Sequence, residues 1–454
     1  MVYESAKILK NLIKMKKYII LKLQKTKKSF SYSQRLHVPS SSPPSNLKPL
    51  TLRVQHKNVA PPLFILSFYM KNKTQISHPK HGRRRQTDSA PATTIVGPDF
   101  DHDIIAEILS RLPAKSLLRF RCVCKSWLAL ISDPSFVKNH LSRVNTNHFN
   151  LLLGTRPLQA SVLKLDDGDV AITELDYPEM HDFEGECFPN IYGSCNGLIC
   201  IEFGSGSIIL WNPCTREFKQ LPEPELHICE SSSIFESFVY LAGFGYDSTI
   251  EDYKVIRATK IYEAETTLQV FTLKTGSWRP NPDFNHISQG SEYIYRFEKQ
   301  GFLLNETLHW VALLRGVEYE EGTLGILSLG LAEEKFKVMA LFPCHSPISA
   351  SILTVGNSLF VYHEFGIWMM KEYGVEESWT KVIYISPECL PQHFDNMLTP
   401  LCILENGEVL LRCRSLGLYN PEEKTFRNII CDCEAYFLHY VAYVETLVSP
   451  ITGM

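Results

Sequence analysis

Residues 193–222 read GSCNGLICIEFGSGSIILWNPCTREFKQLP, and this stretch decides how most of the chain is read. Its apolar runs, LICIEF and IILW, are bounded by turn residues and too short for helices, so they read as buried strands. Asn196-Gly197 stands ahead of the first run, where a tight hairpin demands positive φ. The unit is therefore a strand, a tight turn, two further strands, another turn, and a fourth strand holding an aromatic, Phe218.

The same unit recurs further along the chain. Residues 243–281 hold GFGYDSTIEDYKVIRATK and LQVFTLKTGSWRPN, and 301–343 hold FLLNETLHWVALL and ILSLGLAEEKFKVMALFP. Residues 351–385 hold ILTVGNSLFVYHEF and IWMMKEYGVEESWTKVIYI, and 401–430 hold LCILENGEVLLRC and LGLYNPEEKTFRNI. Asn357 and Asn406-Gly407 fall at the first hairpin. Phe218, Trp278, Phe336, Trp379 and Phe426 mark the fourth strand at intervals of 60, 58, 43 and 47 residues. Four-stranded repeats of about 40–50 residues are the sign of a β-propeller, in which each blade buries its faces against its neighbours. Residues 149–178 read as a degenerate first blade, giving about six. A closing strand is expected in 435–447 (AYFLHYVAYVETL), pairing with the first blade. A twisted sandwich of the same strands is the competing architecture.

This arrangement resembles the F-box-associated, kelch-like domain of plant receptors. GSCNGLIC and LWNPCTREFKQLP fit that family's usual opening, and the later blades match more loosely.

Residues 98–141, PDFDHDIIAEILSRLPAKSLLRFRCVCKSWLALISDPSFVKNHL, follow a helical period instead. Ile105, Ile108, Leu109 and Leu112 form one apolar stripe, with Asp101 and Asp103 as cap and first-turn acids and Glu107 reaching Arg111. Pro113 is expected to stop the first helix at Leu112. Leu117, Phe120, Cys124, Trp127 and Ile131 form a second stripe, and Asp133-Pro134 opens a last short helix through Leu141. Three or four short helices carry more apolar bulk than they can hide, so a partner surface must cover the excess. The run EILSRLPAKSLLRFRCVCKSWLALISDPSF resembles an F-box, the module that ties substrate receptors to a cullin–RING ubiquitin ligase. Leu112-Pro113, Lys115-Ser116-Leu117 and Cys124-Lys125-Ser126-Trp127 carry the match, closest to plant F-box proteins. The resemblance implies that Phe100, Ile104, Ile108, Leu112, Pro113, Leu117, Leu118, Val123 and Trp127 form the adaptor interface or its supporting core. Phe100-Asp101 replaces the family's usual opening Leu-Pro, a change expected to loosen the first turn.

The fold class is thus multidomain: a small all-α F-box over 98–142, then an all-β propeller-like domain over 149–448. Residues 1–95 hold 19 Lys and Arg against 2 acids, while the remaining chain holds 27 against 47. That basic head, rich in Ser, Pro and Asn, reads as a disordered extension. Ile8–Leu23 has the pattern of a basic amphipathic helix, and Arg83-Arg84-Arg85 that of an import signal. An alternative reading makes the first 70 or so residues a gene-model artefact, with Met70 as the true start. The longest early apolar run, Leu63–Met70, has eight residues, far below the ~20 that span a bilayer. No membrane span or secretory signal is expected, and the expected location is cytoplasm, nucleus or both.

Thirteen scattered cysteines, including Cys122/Cys124 and Cys431/Cys433, lack a second ligand pair and read as free thiols, not metal ligands. Gly243-Phe244-Gly245 lacks a third glycine and reads as a strand-to-turn signal. Asp166-Asp167-Gly168-Asp169 lacks the acid of a calcium loop and reads as a hairpin turn. No hydrolase, metalloprotease or phosphate-loop motif is present, and the acidic body argues against nucleic acid. The resemblances together imply a non-catalytic substrate-recognition subunit of an SCF-type ubiquitin ligase. It needs no cofactor or metal, and binds an adaptor, through it a cullin, and a target protein. Loops 223–238, 282–298 and 386–399, longer than blades need, are the expected target contacts. Glu223, Glu225, Glu230 and Glu236 point to a basic partner. The competing functions are an F-box scaffold outside the ligase and a carbohydrate-binding or enzymatic propeller.

Overall fold

A computed structural model describes residues 102–453 except 145–148, 156–158, 167–168, 179–188, 204–205, 225–236, 262–265, 282–294, 297–298, 317–318, 344–349, 392–397, 414–415 and 431–438. Four helices come first: α1 (His102–Leu109), α2 (Ala114–Phe120), α3 (Lys125–Ile131) and α4 (Pro134–Leu141). α1 stops three residues earlier than expected, its last turn tightening through Arg111 N–H to Ile108 O and Leu112 N–H to Leu109 O. The second stripe is split between α2 and α3, because the chain becomes extended at Cys124. α4 begins as read: the Asp133 carboxylate accepts from the backbone N–H of Ser135 at 2.9 Å and Phe136 at 3.3 Å.

Six antiparallel sheets follow, and the chain is a six-bladed propeller preceded by short helices. The first blade is closed from the far end of the chain. His439–Tyr443 pairs antiparallel with Asn150–Thr155, putting Leu152 opposite Val441, as expected for the closing strand. Blades 2 to 6 open on the inner strands Asn190–Cys195, Ser237–Asp247, Phe302–Leu304, Ser351–Val355 and Thr399–Ile403. The fourth-strand aromatics are where the repeat put them, Trp278 against Phe271 at 5.3 Å and Phe336 against Trp310 at 6.3 Å between ring centroids.

Neighbouring blades share their cores. Leu152, Val162 and Tyr443 of blade 1 pack with Ile199 and Trp211 of blade 2. Ile256 and Val270 of blade 3 pack with Leu308 and Trp310 of blade 4. Similar clusters join blades 4 and 5, 5 and 6, and 6 and 1, so apolar burial carries the ring past its seam. Gly243 and Gly245, read as a strand-to-turn signal, stand in a strand that runs into a turn after Asp247, and they also serve this packing. They lie within the inner strand of blade 3, where a Cβ would come 2.6 Å from Leu308 and 2.5 Å from Leu331.

The first hairpins use positive φ differently from one another. Asn196 (53°) and Gly197 (83°) both adopt it, but in blades 5 and 6 it is Gly356 and Gly407 that do, not Asn357 or Asn406. Blade 4 turns on Asn305 (50°) and Glu306 (55°) with no glycine at all.

Candidate functional site: a docking module and two propeller faces

Antiparallel blades sort their connections onto two faces. Turns between strands one and two, and three and four, lie on one face. Turns between strands two and three, and the blade-to-blade links, lie on the other. The helical module sits on the first face. Lys138 Nζ meets Glu251, in the first turn of blade 3, at 2.6 Å. Lys115 Nζ meets Glu445, just past the closing strand, at 2.6 Å, and Asn150 Nδ2 donates to the same carboxylate at 3.2 Å.

Within the module, Ile105, Leu109, Leu117, Val123, Trp127, Ile131, Phe136 and Val137 are buried. Phe120 meets Trp127 edge-on, with centroids 5.6 Å apart. Two polar ties join α1 and the turn after it to α4 and the turn after it. Glu107 on α1 accepts from Arg111 Nε at 3.0 Å and from Arg143 Nη2 at 2.8 Å; these hydrogen bonds hold its carboxyl at about 2. His140 Nε2 lies 2.9 Å from the carbonyl of Leu112, and burial pushes this imidazole's pKa down.

The nine residues expected at the adaptor interface therefore divide. Leu117, Val123 and Trp127 are buried inside the module. Ile104, Ile108, Leu112 and Leu118 are half-buried, and Pro113 is exposed. Phe100 lies outside the described residues. Leu128, which the stripes passed over because it lies one position off the buried face, is 47% exposed on α3. These open positions are apolar, and they are the surface a second polypeptide could cover.

The described ends of the long links fall on the opposite face, and 225–236, 282–294, 297–298 and 392–397 lie outside the described residues. The inner strands already begin at Ser237, within the first of them, and at Thr399, at the end of the third, and Tyr295–Arg296 forms a strand segment inside the second. Glu223 is exposed; Glu225, Glu230 and Glu236 lie outside the described residues.

A C-terminal strap, invisible to the repeat pattern, runs over the helix-bearing face. The buried Asn212 side chain is its anchor. Asn212 Nδ2 donates to Val448 O at 2.7 Å and Thr446 O at 3.3 Å, while Oδ1 accepts from the N–H of Cys214 and Thr215 at 2.8 and 3.3 Å. Thr446 Oγ1 donates to Asn196 O at 2.7 Å. Two buried charge networks join blades. Arg257 on blade 3 meets Glu202 on blade 2 at 3.0 Å and Tyr192 OH at 3.2 Å. Lys254 meets Asp247 and Glu334 at 2.7 Å each, uniting blades 3 and 4. Among the described residues there is no cluster of three or more His, Cys, Asp or Glu arranged for a metal, and no helix long and apolar enough to cross a membrane.

Four short helices on one face of a six-bladed propeller fit an F-box substrate-receptor protein. Residues 149–449 match the F-box associated beta propeller domain and residues 98–139 the F-box domain, and the chain belongs to this F-box family. In Arabidopsis thaliana, the F-box protein CPR1 is 29% identical over 74% of this chain and 85% of its own length. An F-box/kelch-repeat protein of the same plant is 26% identical over 77% of this chain and 95% of its own. F-box/WD-40 repeat-containing protein 1 is 25% identical over 68% and 75%.

Proposed function

We propose that this protein is the substrate-recognition subunit of an SCF-type cullin–RING ubiquitin ligase, working in the cytoplasm, the nucleus or both. The observation that carries the reading is the open apolar set on the helical module: Ile104, Ile108, Leu112, Pro113, Leu118 and Leu128 leave hydrocarbon in water that an adaptor would cover. On this reading the protein supplies no catalytic group. Its contribution is proximity: a target held beside the ubiquitin-charged carrier enzyme reacts as if intramolecularly. Placing the helices and the long links on opposite faces leaves the second face free for a target while the first is docked.

The test is co-purification of the full chain with a plant cullin adaptor and cullin, followed by ubiquitin transfer in the reconstituted ligase. The reading expects a stable complex that Leu112→Asp abolishes. An intact, folded chain that binds no adaptor would overturn it in favour of a scaffold outside the ligase.

A further inference from the structure

The fourth strand of each blade faces outward, and its free edge offers a row of backbone N–H and C=O groups to any extended chain that comes near. Five of the six blades blunt that edge. In blades 2 and 3 the outer strand is short, Phe218–Gln220 and Ser277–Pro280. In blades 4, 5 and 6 it is longer, but an unpaired residue (Leu341, Val382 or Ile429) bulges it and bends the edge. Each of the five also carries a cation: Lys219, Arg279, Lys337, Lys381 or Arg427. A charge that must lose water when a strand draws alongside discourages pairing.

Blade 1 has none of these devices. Its outer strand Asp169–Leu175, DVAITEL, is seven residues long and keeps one register throughout, from Asp169 opposite Asp166 to Leu175 opposite Ala160. It holds two acids, no base and no proline. The strand ends its four-stranded sheet, and no strand among the described residues pairs with its far side. Ala171, Ile172, Thr173 and Glu174 are all exposed, Ile172 by 45%. Successive side chains point to opposite faces, so neighbouring blades cover neither face of this stretch. Leu175 packs against the core shared with blade 2 and pins the strand's end.

We infer that the outer edge of blade 1, residues 169–175, takes an extended segment of the target polypeptide as a fifth strand, one rich in β-branched residues and carrying lysine or arginine. Backbone pairing supplies the hold. A base opposite Glu174 and an apolar side chain opposite Ile172 supply the choice. A second copy of the same edge is the poorer occupant, because it brings acids and no base to meet acids. The inference rests on the receptor reading for calling the occupant a target, and adds a contact outside the blade-to-blade face.

The test uses the full chain and fluorescent pools of short valine- and threonine-rich peptides, carrying either lysines or glutamates. A third pool is the lysine pool with alternate backbone nitrogens methylated. Anisotropy should show the lysine pool binding above the glutamate pool, and the methylated pool failing to bind. Hydrogen exchange with the lysine pool should show new protection in residues 169–175. Ile172→Lys/Glu174→Lys, at two exposed positions, gives blade 1 the cation its neighbours carry; it should keep the parent's melt and weaken the lysine pool by about tenfold. Glu174→Lys alone should shift preference toward the glutamate pool. Binding by neither pool, equal binding by the methylated pool, or protection away from 169–175 overturns the inference. So does concentration-dependent dimerisation of the chain that the double variant abolishes, since a second copy then fills the edge. Adaptor binding is read in the same preparation. A chain that binds adaptor and no peptide defeats this inference alone, and one that binds the lysine pool at 169–175 and no adaptor defeats the receptor reading alone.

Discussion

Asn212 is where one side chain does the most structural work. It is fully buried and makes four hydrogen bonds, two closing its own turn and two holding the C-terminal strap. Asn212→Ala leaves two amides and two carbonyls without those partners and should cost about 2–4 kcal/mol, read by urea unfolding. Asn212→Asp keeps the acceptor for Cys214 and Thr215 but turns a second carboxylate oxygen toward two carbonyls, so it should not rescue stability. His309 supplies a pH signature. It is buried between Phe302 O (3.2 Å) and Tyr373 OH (2.9 Å), and burial holds its pKa at about 4. The unfolded chain takes up a proton near pH 6.5 that the folded chain refuses until about 4. Stability should therefore be full above about 6.5 and fall as pH drops toward 4, by up to about 1.4 kcal/mol per pH unit for this group. His439 adds a term of the same sign. His309→Gln should flatten the decline in urea titrations between those pH values; an unchanged slope would contradict this account.

The elements show how much was legible. Outer-strand aromatics and the Asn-Gly turn announced the repeat because hairpin geometry and inter-blade packing restrict those positions sharply. The turn before the fourth strand hid a regularity in four of the blades. Arg216, Gly276, Glu334 and Lys424 all have positive φ, each two residues before Phe218, Trp278, Phe336 or Phe426. Only one of the four is glycine, so composition gave no cue. The helical stripes found the module, yet periodicity could not separate a buried face from a half-open one on helices of seven or eight residues. That separation makes a prediction. Ile108→Asp and Leu118→Asp should abolish adaptor binding while leaving the circular dichroism melt near that of the parent. Leu117→Asp, at a fully buried position, should instead unfold the module, seen as lost helical signal. Leu128→Asp belongs with the first pair.

Across the whole molecule, stability depends on joining the two ends of the propeller domain. Residues 439–443 complete blade 1, and 446–448 clamp blade 2 through Asn212 and Asn196. Truncation after residue 438 removes both and exposes Leu151, Leu152 and Leu153 of the neighbouring strand. The truncated chain should bind a hydrophobic dye and lose its cooperative melt, whereas truncation after Thr446, which spares the ring seam, should lower the melting temperature and keep cooperativity. The strap lay outside sequence reasoning because its contacts link positions more than 230 residues apart through a backbone carbonyl, which has no sequence signature. The basic head of residues 1–95 stays with the sequence reading alone, since it lies outside the described residues.

Hydrogen exchange of the full chain, alone and saturated with a cullin adaptor, tests the central claim most directly. The account predicts new protection confined to the amides of residues 103–128, around Ile104, Ile108, Leu112, Leu118 and Leu128, with the blade-to-blade links exchanging as before. Protection appearing on those links instead, or a complex that leaves residues 103–128 unprotected, would contradict it.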